Sequence, residues 1–547
     1  FRWNPKARDQ KPGDVAIDLG TFNPLVGRSY MEIAGISRSM HKSQGFGAQE
    51  LRGSWENDFR LRKGEAPSGE MFDGVDLSWR RVKGGEKVAP ILEEAVRAYD
   101  PEKPSAVVPA LLRAYAEMEK LGDDPDVLEK KADLLDVVRA AAGLHVEAIA
   151  KDYSVTPGKG LDVTLAAVNR SPLALTLDSV EVTQQEGALG KGDETFPTPL
   201  LEPGGTLPFN VRKSGKVTLR VPNDAEISNP YWLKEHHDLG LFHVTDRSRI
   251  GLPESPEPLF ATFRISIAGT PLRFTTPVQY RWTDPVRGDL YRPIEIAPPV
   301  TVNFDEKVHL FGSKEPRRVR VTIAAEEPKA KGRLRFRVPS GWKAMPADVP
   351  FAFTVKGEEA TIDVTLAPPA KPESATLGVD VVMDGGEGHT ARGLVRIDYP
   401  HIPIQTLFPP AETRLVRLDV KTAPVEIGYV MGSGDEVPAT LKQLGYKVTL
   451  LTDDDLASTE LSRFPVIVLG VRAYNTRERL KALQPRLMAY VENGGTLVDQ
   501  YVTTSELLVE HFGPYPLTIG RDRVTVEEAP MTFLKPAHPL LHVPNEI

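Results

Sequence analysis

The stretch Gly160–Asn169, GLDVTLAAVN, decides the fold of the central part of this chain of 547 residues. Apolar residues at 161, 163 and 165 alternate with polar residues at 162 and 164, and a period of two predicts a half-buried β-strand. Similar strands follow at 179–182, 217–221, 260–267 and 278–280, with turn residues about every 8–12 positions. We therefore predict a β-sandwich over residues 152–298.

A second β-sandwich is predicted over residues 299–402. Seven short alternating segments fall within about 100 residues, which is typical of an immunoglobulin-like antiparallel sandwich. These segments are 300–304, 318–323, 332–338, 351–355, 360–366, 376–382 and 390–397. The sequence VPSGW at 338–342 indicates a strand end and a tight turn that places Trp342 in the core.

Strands and helices alternate from residue 423 onward. VEIGYVM at 425–431 and VIVLGV at 466–471 are continuous apolar strands. Further elements are predicted as strands at 447–451 and 496–501 and helices at 435–444 and 477–492. This alternation indicates a parallel sheet covered on both faces. We predict a three-layer, flavodoxin-like α/β domain over residues 415–547.

The N-terminal part is predicted to contain helices and loops. Apolar residues recur at intervals of three and four in helices at 87–99, 105–121 and 127–149. They form a helical linker domain over 66–151, and we expect the change from helix to strand between 151 and 155. One further helix is predicted at 26–40, within residues 1–65. The fold class is thus multidomain α+β: a helical segment, two antiparallel sandwiches and a C-terminal α/β domain.

The composition excludes several classes of function. Because the chain has no cysteine, it has no disulfides, thiolate metal sites, iron–sulfur clusters or cysteine nucleophiles. A net charge of -8 argues against general nucleic-acid binding, since no basic excess neutralises phosphates. No apolar run approaches the ~20 residues of a transmembrane helix. The chain begins at Phe1 and ends without a polar tail, so we expect a fragment that lacks a signal peptide or an upstream domain.

Polar residues follow the first and third strands of the last domain. The candidate ligand cleft of this domain comprises Gly432, Ser433, Asp435, Arg472, Tyr474 and Asn475. The first three come directly after the first strand, where glycine lets a backbone approach an anion. The same three residues also fit a turn and a helix N-cap, and both interpretations stay open. The last three follow the third strand and could line the cleft.

Three aspartates and two groups of histidines raise the question of a metal site. Asp453–Asp455 follow the second strand of the last domain, but adjacent carboxylates in such a loop rarely converge on one ion. We expect a solvated helix cap there. The histidines at 236, 237 and 243, and those at 538 and 542, lack further ligands at suitable spacings. We expect polar loops and assign no metal site to this chain.

The densest polar segment lies at the end of the N-terminal helix. Arg38 and His41 are three positions apart and share a helix face, and Ser43 and Gln44 follow them. Guanidinium, imidazole, hydroxyl and amide groups suit the recognition of an anion or a sugar. A solvated helix end is the alternative, and these residues do not supply a nucleophile, a base and an acid.

Several blocks together resemble the C-terminal part of large bacterial members of the PIG-L/LmbE-like deacetylase family. The segment GRSYMEIAGISRSMHKSQGFG at 27–47 contains a His-x-Ser-Gln signature at His41, Ser43 and Gln44, where a late helix of the family ends. Further similar blocks are MFDGVDLSW at 71–79, NPYWL at 229–233, GLPE at 251–254, GYVMGSGDEV at 428–437 and GVRAYNT at 470–476. The last two blocks resemble a class I glutamine-amidotransferase-like domain. The missing cysteine excludes amidotransferase chemistry from it.

The resemblance implies that the parent protein is a zinc-dependent hydrolase that removes an N-acyl group, usually acetyl, from an amino sugar or glycan conjugate. In the family, a His-Pro-Asp-Asp-Glu-type motif and a later histidine supply the zinc ligands and the general base. This chain has no His-Pro-Asp-Asp, so we expect the catalytic residues upstream and no zinc in this fragment. Residues 1–65 would be the remnant of the catalytic domain, and Arg38, His41, Ser43 and Gln44 candidates for its active-site wall.

Three functions remain open. In the first, this chain is the C-terminal part of an N-deacetylase, and its domains bind a glycan or position the catalytic unit. In the second, it belongs to a non-catalytic carbohydrate-binding or scaffold protein. The third is an enzyme that acts through the last domain alone, which the missing cysteine and phosphate-binding motifs disfavour. We expect a glycan or amino-sugar partner, no nucleic acid and no membrane span. Such sandwich modules are commonest outside the cytoplasm, so a periplasmic or extracellular location is expected.

Overall fold

The chain divides into two compact units. The computed structural model describes residues 2–3, 13–184, 195–197, 204–386, 388–509, 511–526 and 528–546, and the remaining positions, including part of the predicted segment 1–65, lie outside the described residues. One unit consists of residues 1–226, 238–295 and 396–405, and the other of residues 227–237, 296–395 and 406–547. Within the described ranges, no helix is long and apolar enough to cross a bilayer.

The N-terminal region combines a small antiparallel sheet with one α-helix. The strands are β1 (Arg2–Trp3), β2 (Val15–Asp18) and β3 (Glu56–Arg60), in the order β1-β3-β2. The helix, α1, spans Tyr30–Ser39, so the predicted helix exists but begins four residues later than expected. It starts there because Ser29 and Glu32 form a capping box, in which Ser29 Oγ accepts from the Glu32 N–H at 3.2 Å. A short 3-10 turn at Lys42–Gln44 follows.

Three helices follow as predicted, but the third is shorter. They are α2 (Val88–Arg97), α3 (Val108–Met118) and α4 (Pro125–Ala141). The prediction that the third helix extends to residue 149 is wrong, because Leu144–Ala150 forms strand β4. Gly143, with a φ of 59°, ends the helical region in a left-handed turn. Helix therefore gives way to strand before residue 144 rather than between 151 and 155.

The first β-rich domain has two layers that share one long strand. Its strands are β4, β5 (Ser154–Val155), β6 (Gly160–Asn169), β7 (Leu175–Gln184), β8 (Thr195–Pro197), β9 (Gly205–Thr206), β10 (Arg212–Arg220), β11 (Leu259–Ile267), β12 (Thr270–Asp284), β13 (Gly288–Pro293) and β14 (Glu295–Ile296). One layer has the order β10-β6-β4-β12-β13, and the other contains β12, β11 and β7. The first half of β12 pairs with β11, while its second half pairs with β4 and β13. This sandwich-like arrangement agrees with the predicted fold class.

The second β-rich domain consists of two sheets that share an apolar core. Its strands are β15 (Val300–Phe304), β16 (Val308–Phe311), β17 (Arg317–Ala325), β18 (Lys331–Arg337), β19 (Lys343–Met345), β20 (Asp348–Ala352), β21 (Glu359–Ala367), β22 (Glu373–Met383), β23 (Gly388–Thr390), β24 (Val395–Ile397), β25 (Gln405–Leu407) and β26 (Glu412–Arg417). The sheet orders are β15-β17-β21-β19 and β16-β26-β22-β18-β20. Trp342 is buried in the core, as predicted. Strand β26 pairs with β16 and β22, so this domain extends to residue 417 rather than 402.

The C-terminal domain contains a parallel sheet with helices on both faces. Its elements are β27 (Glu426–Val430), α5 (Val437–Gln443), β28 (Lys447–Leu450), α6 (Asp453–Ser458), β29 (Val466–Leu469), α7 (Ala473–Thr476), α8 (Leu480–Glu492) and β30 (Thr496–Asp499). The parallel strands have the order β28-β27-β29-β30. Residues of α6, α7 and α8 pack on one face and residues of α5 on the other. The predicted parallel sheet with covered faces is therefore confirmed.

Candidate functional site

Two loops meet at the carboxyl edge of the parallel sheet. The loop after β27 contacts the loop after β29, because the Ser433 N–H donates to the Val471 carbonyl at 2.8 Å. Asp435 reinforces this contact: its Oδ2 accepts from the Val471 N–H at 3.2 Å and its Oδ1 from the Val437 N–H at 3.0 Å. A Cβ at Gly432 would lie 2.1 Å from the Val471 oxygen. The turn and cap interpretation therefore accounts for these residues.

The phenol of Tyr429 connects the ends of two strands at the same edge. Its hydroxyl donates to Asp435 Oδ1 at 2.6 Å and accepts from Gln500 Nε2 at 2.7 Å. Burial, together with the hydrogen bond to Asp435, raises the pKa of Tyr429. The side chain thus stays neutral and holds the ends of β27 and β30 together.

The three candidates that follow β29 have different environments. Tyr474 is fully buried and its hydroxyl donates to Gln484 Oε1 at 2.7 Å. Asn475 is also buried, and its side-chain amide donates to the carbonyls of residues 503 and 505 at 2.9 Å. Both are engaged inside the fold and do not line an open cleft. Arg472 differs, since its φ is 58° and its Nε is buried without a hydrogen-bond partner among the described residues.

Asp499, at the end of β30, was not identified from the sequence. Its Oδ1 is buried and has no hydrogen-bond partner in the part of the chain that the structure describes. This burial raises the pKa of Asp499 to about 6. An acidic residue that ends a strand next to a buried strand is the signal that could have singled it out.

The three consecutive aspartates form the first turn of α6, and Asp455 belongs to its capping box with Thr452. The Asp455 N–H donates to Thr452 Oγ1 at 3.1 Å, and Asp455 Oδ2 accepts from the Thr452 N–H at 2.9 Å. Asp453 forms an ion pair with Arg477 at 2.5 Å. Asp454 pairs with an exposed arginine at 479. Each carboxylate has a separate partner, so the three do not converge on one point.

The N-terminal candidates gather around one exposed aromatic ring. The Arg38 guanidinium carbon lies 5.2 Å from the centroid of the Phe46 ring, and the His41 ring lies 6.1 Å from it. His41 Nδ1 is 2.7 Å from Gln44 Oε1. Ser43 is exposed on the same turn. The structure thus brings Arg38, His41 and Gln44 together on the surface.

The histidines that the structure describes do not fit a zinc site. His41 is an exposed imidazole beside the Arg38 cation, without carboxylate ligands. The His236 and His237 rings stack on each other, and His243 Nε2 lies 2.9 Å from Asp238. No group of three or more histidines, aspartates or glutamates placed to hold a metal ion occurs among the described residues. We therefore derive no metal-dependent step from this chain.

A cluster of aromatic rings lies on one face of β12. The rings of Tyr280 and Trp282 are nearly parallel, with an interplanar angle of 15° and centroids 5.9 Å apart. Tyr153 meets Tyr280 edge-on at 5.9 Å. All three are half-buried. We call Tyr153, Tyr280 and Trp282 the aromatic patch. Sequence analysis missed it, although Tyr-x-Trp in a strand places both rings on one face.

Charged groups border the aromatic patch. The guanidinium carbon of Arg292 lies 4.4 Å from the centroid of the Tyr153 ring, and that of Arg396 lies 5.5 Å from it. Arg292 also forms a buried ion pair with Glu295. Arg396 is exposed. The patch therefore combines flat apolar surface with one exposed hydrogen-bond donor, the guanidinium of Arg396.

Comparison with known proteins provides no assignment. No protein-family profile matches the sequence, and no curated protein matches it. Similar solved structures include a Salmonella α-2-macroglobulin, with a TM-score of 0.18 and 10% identity over 52% of this chain. A family 123 glycoside hydrolase from Clostridium perfringens has a TM-score of 0.15 and 11% identity over 36% of this chain. This chain spans 16% of the macroglobulin and 36% of the hydrolase. Likenesses of this size establish no relationship.

Proposed function

We propose that this chain is the glycan-binding, non-catalytic part of a larger zinc-dependent N-deacetylase that acts on amino sugars or glycan conjugates. The observation that carries the proposal is the aromatic patch with its charged border. The resemblance of residues 27–47 to the deacetylase family supplies the reaction. In this proposal the C-terminal domain is of the flavodoxin or glutamine-amidotransferase type, and the second β-rich domain is immunoglobulin-like.

The patch has the chemistry that a sugar ring requires. Pyranose rings present C–H groups on one face, and these pack against flat aromatic side chains such as Trp282. Hydroxyl and acetamido groups at the ring edge need hydrogen-bond partners. The exposed Arg396 provides N–H donors in the same cluster, whereas Arg292 and Glu295 are buried and paired with each other. A neutral or acidic glycan therefore fits this surface better than a cation does.

The N-terminal candidates fit the same proposal. Arg38, His41, Ser43 and Gln44 are exposed, and the described part of the chain holds no zinc-ligand group beside them. In the parent protein they would form part of the active-site wall, where they could contact the substrate's polar groups. Their proposed role is binding and not chemistry, because zinc and its ligands would come from the upstream motif.

The proposal is tested by titrating the chain with chito-oligosaccharides of N-acetylglucosamine in isothermal titration calorimetry. We expect binding, and we expect Trp282→Ala to weaken it about tenfold or more, because the variant removes most of the stacking surface. Trp55→Ala is the control, since Trp55 is a tryptophan that is 48% exposed and lies outside the patch. Its affinity should equal that of the wild type. Equal affinities of the wild type and Trp282→Ala would contradict a role for the patch.

A non-catalytic scaffold without glycan binding is the alternative. It predicts no heat of binding with any chito-oligosaccharide. Elemental analysis tests the non-catalytic assignment that both candidates share, since the purified chain should retain no zinc. Stoichiometric zinc that is lost in a His236→Ala, His237→Ala double variant would show that the chain has its own metal site and would overturn the non-catalytic assignment.

A further inference from the structure

The parallel sheet contains a point at which the chain changes the direction in which it adds strands. After β27 the chain places β28 on one side and then crosses to β29 on the other side. Helix α5, which follows β27, and helix α7, which follows β29, pack on opposite faces of the sheet. In open α/β sheets, ligands bind beyond the carboxyl ends of the strands at such a point. The loops at 431–436 and 470–472 border it here.

Arg472 lies at this point in a backbone conformation that favours glycine. Its φ of 58° makes it one of five non-glycine residues with positive φ in the described ranges. The neighbouring loop has a glycine, Gly434, at its own positive φ of 106°. Arginine in a left-handed conformation at a ligand-binding position indicates a use for the side chain, because glycine would adopt this backbone without strain.

The guanidinium of Arg472 has no partner among the described residues. Its Nε is buried without an acceptor, and the residue as a whole is half-buried. Two nearby carboxylates are already engaged: Asp435 accepts three hydrogen bonds, and Asp453 pairs with Arg477. The positive charge at this edge is therefore not compensated by them. Such a guanidinium can present two parallel N–H groups to an external oxyanion.

An exposed tyrosine is hydrogen-bonded to the backbone of Arg472. The Arg472 N–H donates to the Tyr501 carbonyl at 2.7 Å, which places the two residues side by side. The Tyr501 side chain is largely exposed, at 63%. An exposed ring on the residue that is bonded to the backbone of an unpaired arginine suits a ligand that has both an anionic and a flat apolar part.

We infer that Arg472 and Tyr501 form a binding site for a small organic oxyanion, a carboxylate or a phosphate monoester, that carries a flat apolar group. The guanidinium pairs with the oxyanion, and the tyrosine ring packs against the apolar group. This site lies in the C-terminal domain and does not depend on glycan binding by the aromatic patch.

The inference is tested by calorimetric titration of the full chain with phenyl phosphate, benzoate and inorganic phosphate. At least one aromatic anion should bind more tightly than inorganic phosphate, and which one binds identifies the oxyanion. Arg472→Met should weaken that binding at least tenfold, which corresponds to about 1.4 kcal/mol. Tyr501→Ala should weaken only the aromatic anions. Arg479→Met is the control, because Arg479 is an arginine of the same domain that is already paired with Asp454.

Arg472→Gly separates binding from folding. Glycine tolerates the positive φ, so amide hydrogen exchange in residues 466–471 should be as slow as in the wild type or slower. The same variant should lose the aromatic anion. If no anion binds at millimolar concentrations, or if the methionine and glycine variants bind as tightly as the wild type, the inference is refuted.

Discussion

Replacing Gly432 by alanine should disrupt the carboxyl edge of the parallel sheet. The added Cβ would lie 2.1 Å from the Val471 oxygen and 2.8 Å from the Ala473 nitrogen, and both are backbone atoms that no rotamer change can move. The loops after β27 and β29 must therefore separate. Their separation breaks the hydrogen bonds that Val471 makes with Ser433 and Asp435.

The expected loss of stability follows from these contacts. Overpacking costs about 1–3 kcal/mol and each lost hydrogen bond about 1 kcal/mol, so we expect a loss of about 3 kcal/mol in this domain. All six tryptophans precede residue 343, so tryptophan fluorescence does not report on the domain. Hydrogen exchange of residues 466–471, followed by mass spectrometry, is the appropriate assay. Exchange there should become about 100-fold faster.

Two further glycine variants serve as controls for this prediction. Gly513→Ala lies in the same domain, and its Cβ would meet nothing within 4 Å at an ordinary φ. Its exchange should match that of the wild type. Gly434→Ala also meets no neighbour, but its φ is 106°, so it should show only the cost of a strained backbone, about 1 kcal/mol. If Gly432→Ala exchanges as slowly as Gly513→Ala, the close approach of the two loops is not what requires glycine.

Three further substitutions should each give a measurable change. Burial disfavours the charged form of Glu147, but the contacts of this carboxylate with Arg212 and Arg281 outweigh burial and lower the pKa of Glu147. The charged carboxylate therefore stabilises the fold at neutral pH, and this stabilisation is lost as the pH falls through the lowered pKa. In urea unfolding, Glu147→Gln should lower the free energy of unfolding by about 1 kcal/mol at pH 7 and leave it unchanged at pH 2. The value at pH 7 is small because both arginines are partly exposed. Equal losses at both pH values would contradict the charge pairing. Trp342→Ala should cost about 3–5 kcal/mol in urea unfolding followed by circular dichroism, because it leaves a core cavity and removes a hydrogen bond to a glutamate. Thr452→Ala should cost about 1 kcal/mol by hydrogen exchange of α6, because it removes the cap, and unchanged exchange would exclude that role.

Long, regular patterns made most of the architecture predictable. Strands β27 and β29 of the C-terminal sheet are largely apolar runs, since helices cover both faces, and their positions were predicted to within a few residues. The prediction of a helix over Leu144–Ala150 was wrong because this segment contains good helix formers such as leucine and alanine. Its alternating burial reveals a strand whose pairing with β6 outweighs that local propensity. Strand β26 was missed because only its partners β16 and β22 assign it to the second β-rich domain.

The candidate sites were predictable only in part. The sequence located the loops after β27 and β29, since the ends of parallel strands meet at one edge. It could not show that Tyr474 and Asn475 are buried inside the fold while the Arg472 side chain lacks a partner among the described residues. Asp499 was overlooked because its raised pKa arises from burial, and burial depends on neighbours that are distant in sequence.

Local chemistry and periodicity in the sequence determined the classes of element, the absence of thiol chemistry and the position of the parallel sheet. The tertiary structure alone decided which polar and aromatic groups meet. Tyr153 and Trp282 meet in the aromatic patch, and Arg396 borders it, only because strand pairing and loop packing bring distant residues together. Tyr153 and Arg396 are more than two hundred positions apart in the sequence. The left-handed backbone of Arg472 likewise follows from the turn between β29 and α7. Such arrangements depend on long-range packing, which no local sequence pattern encodes.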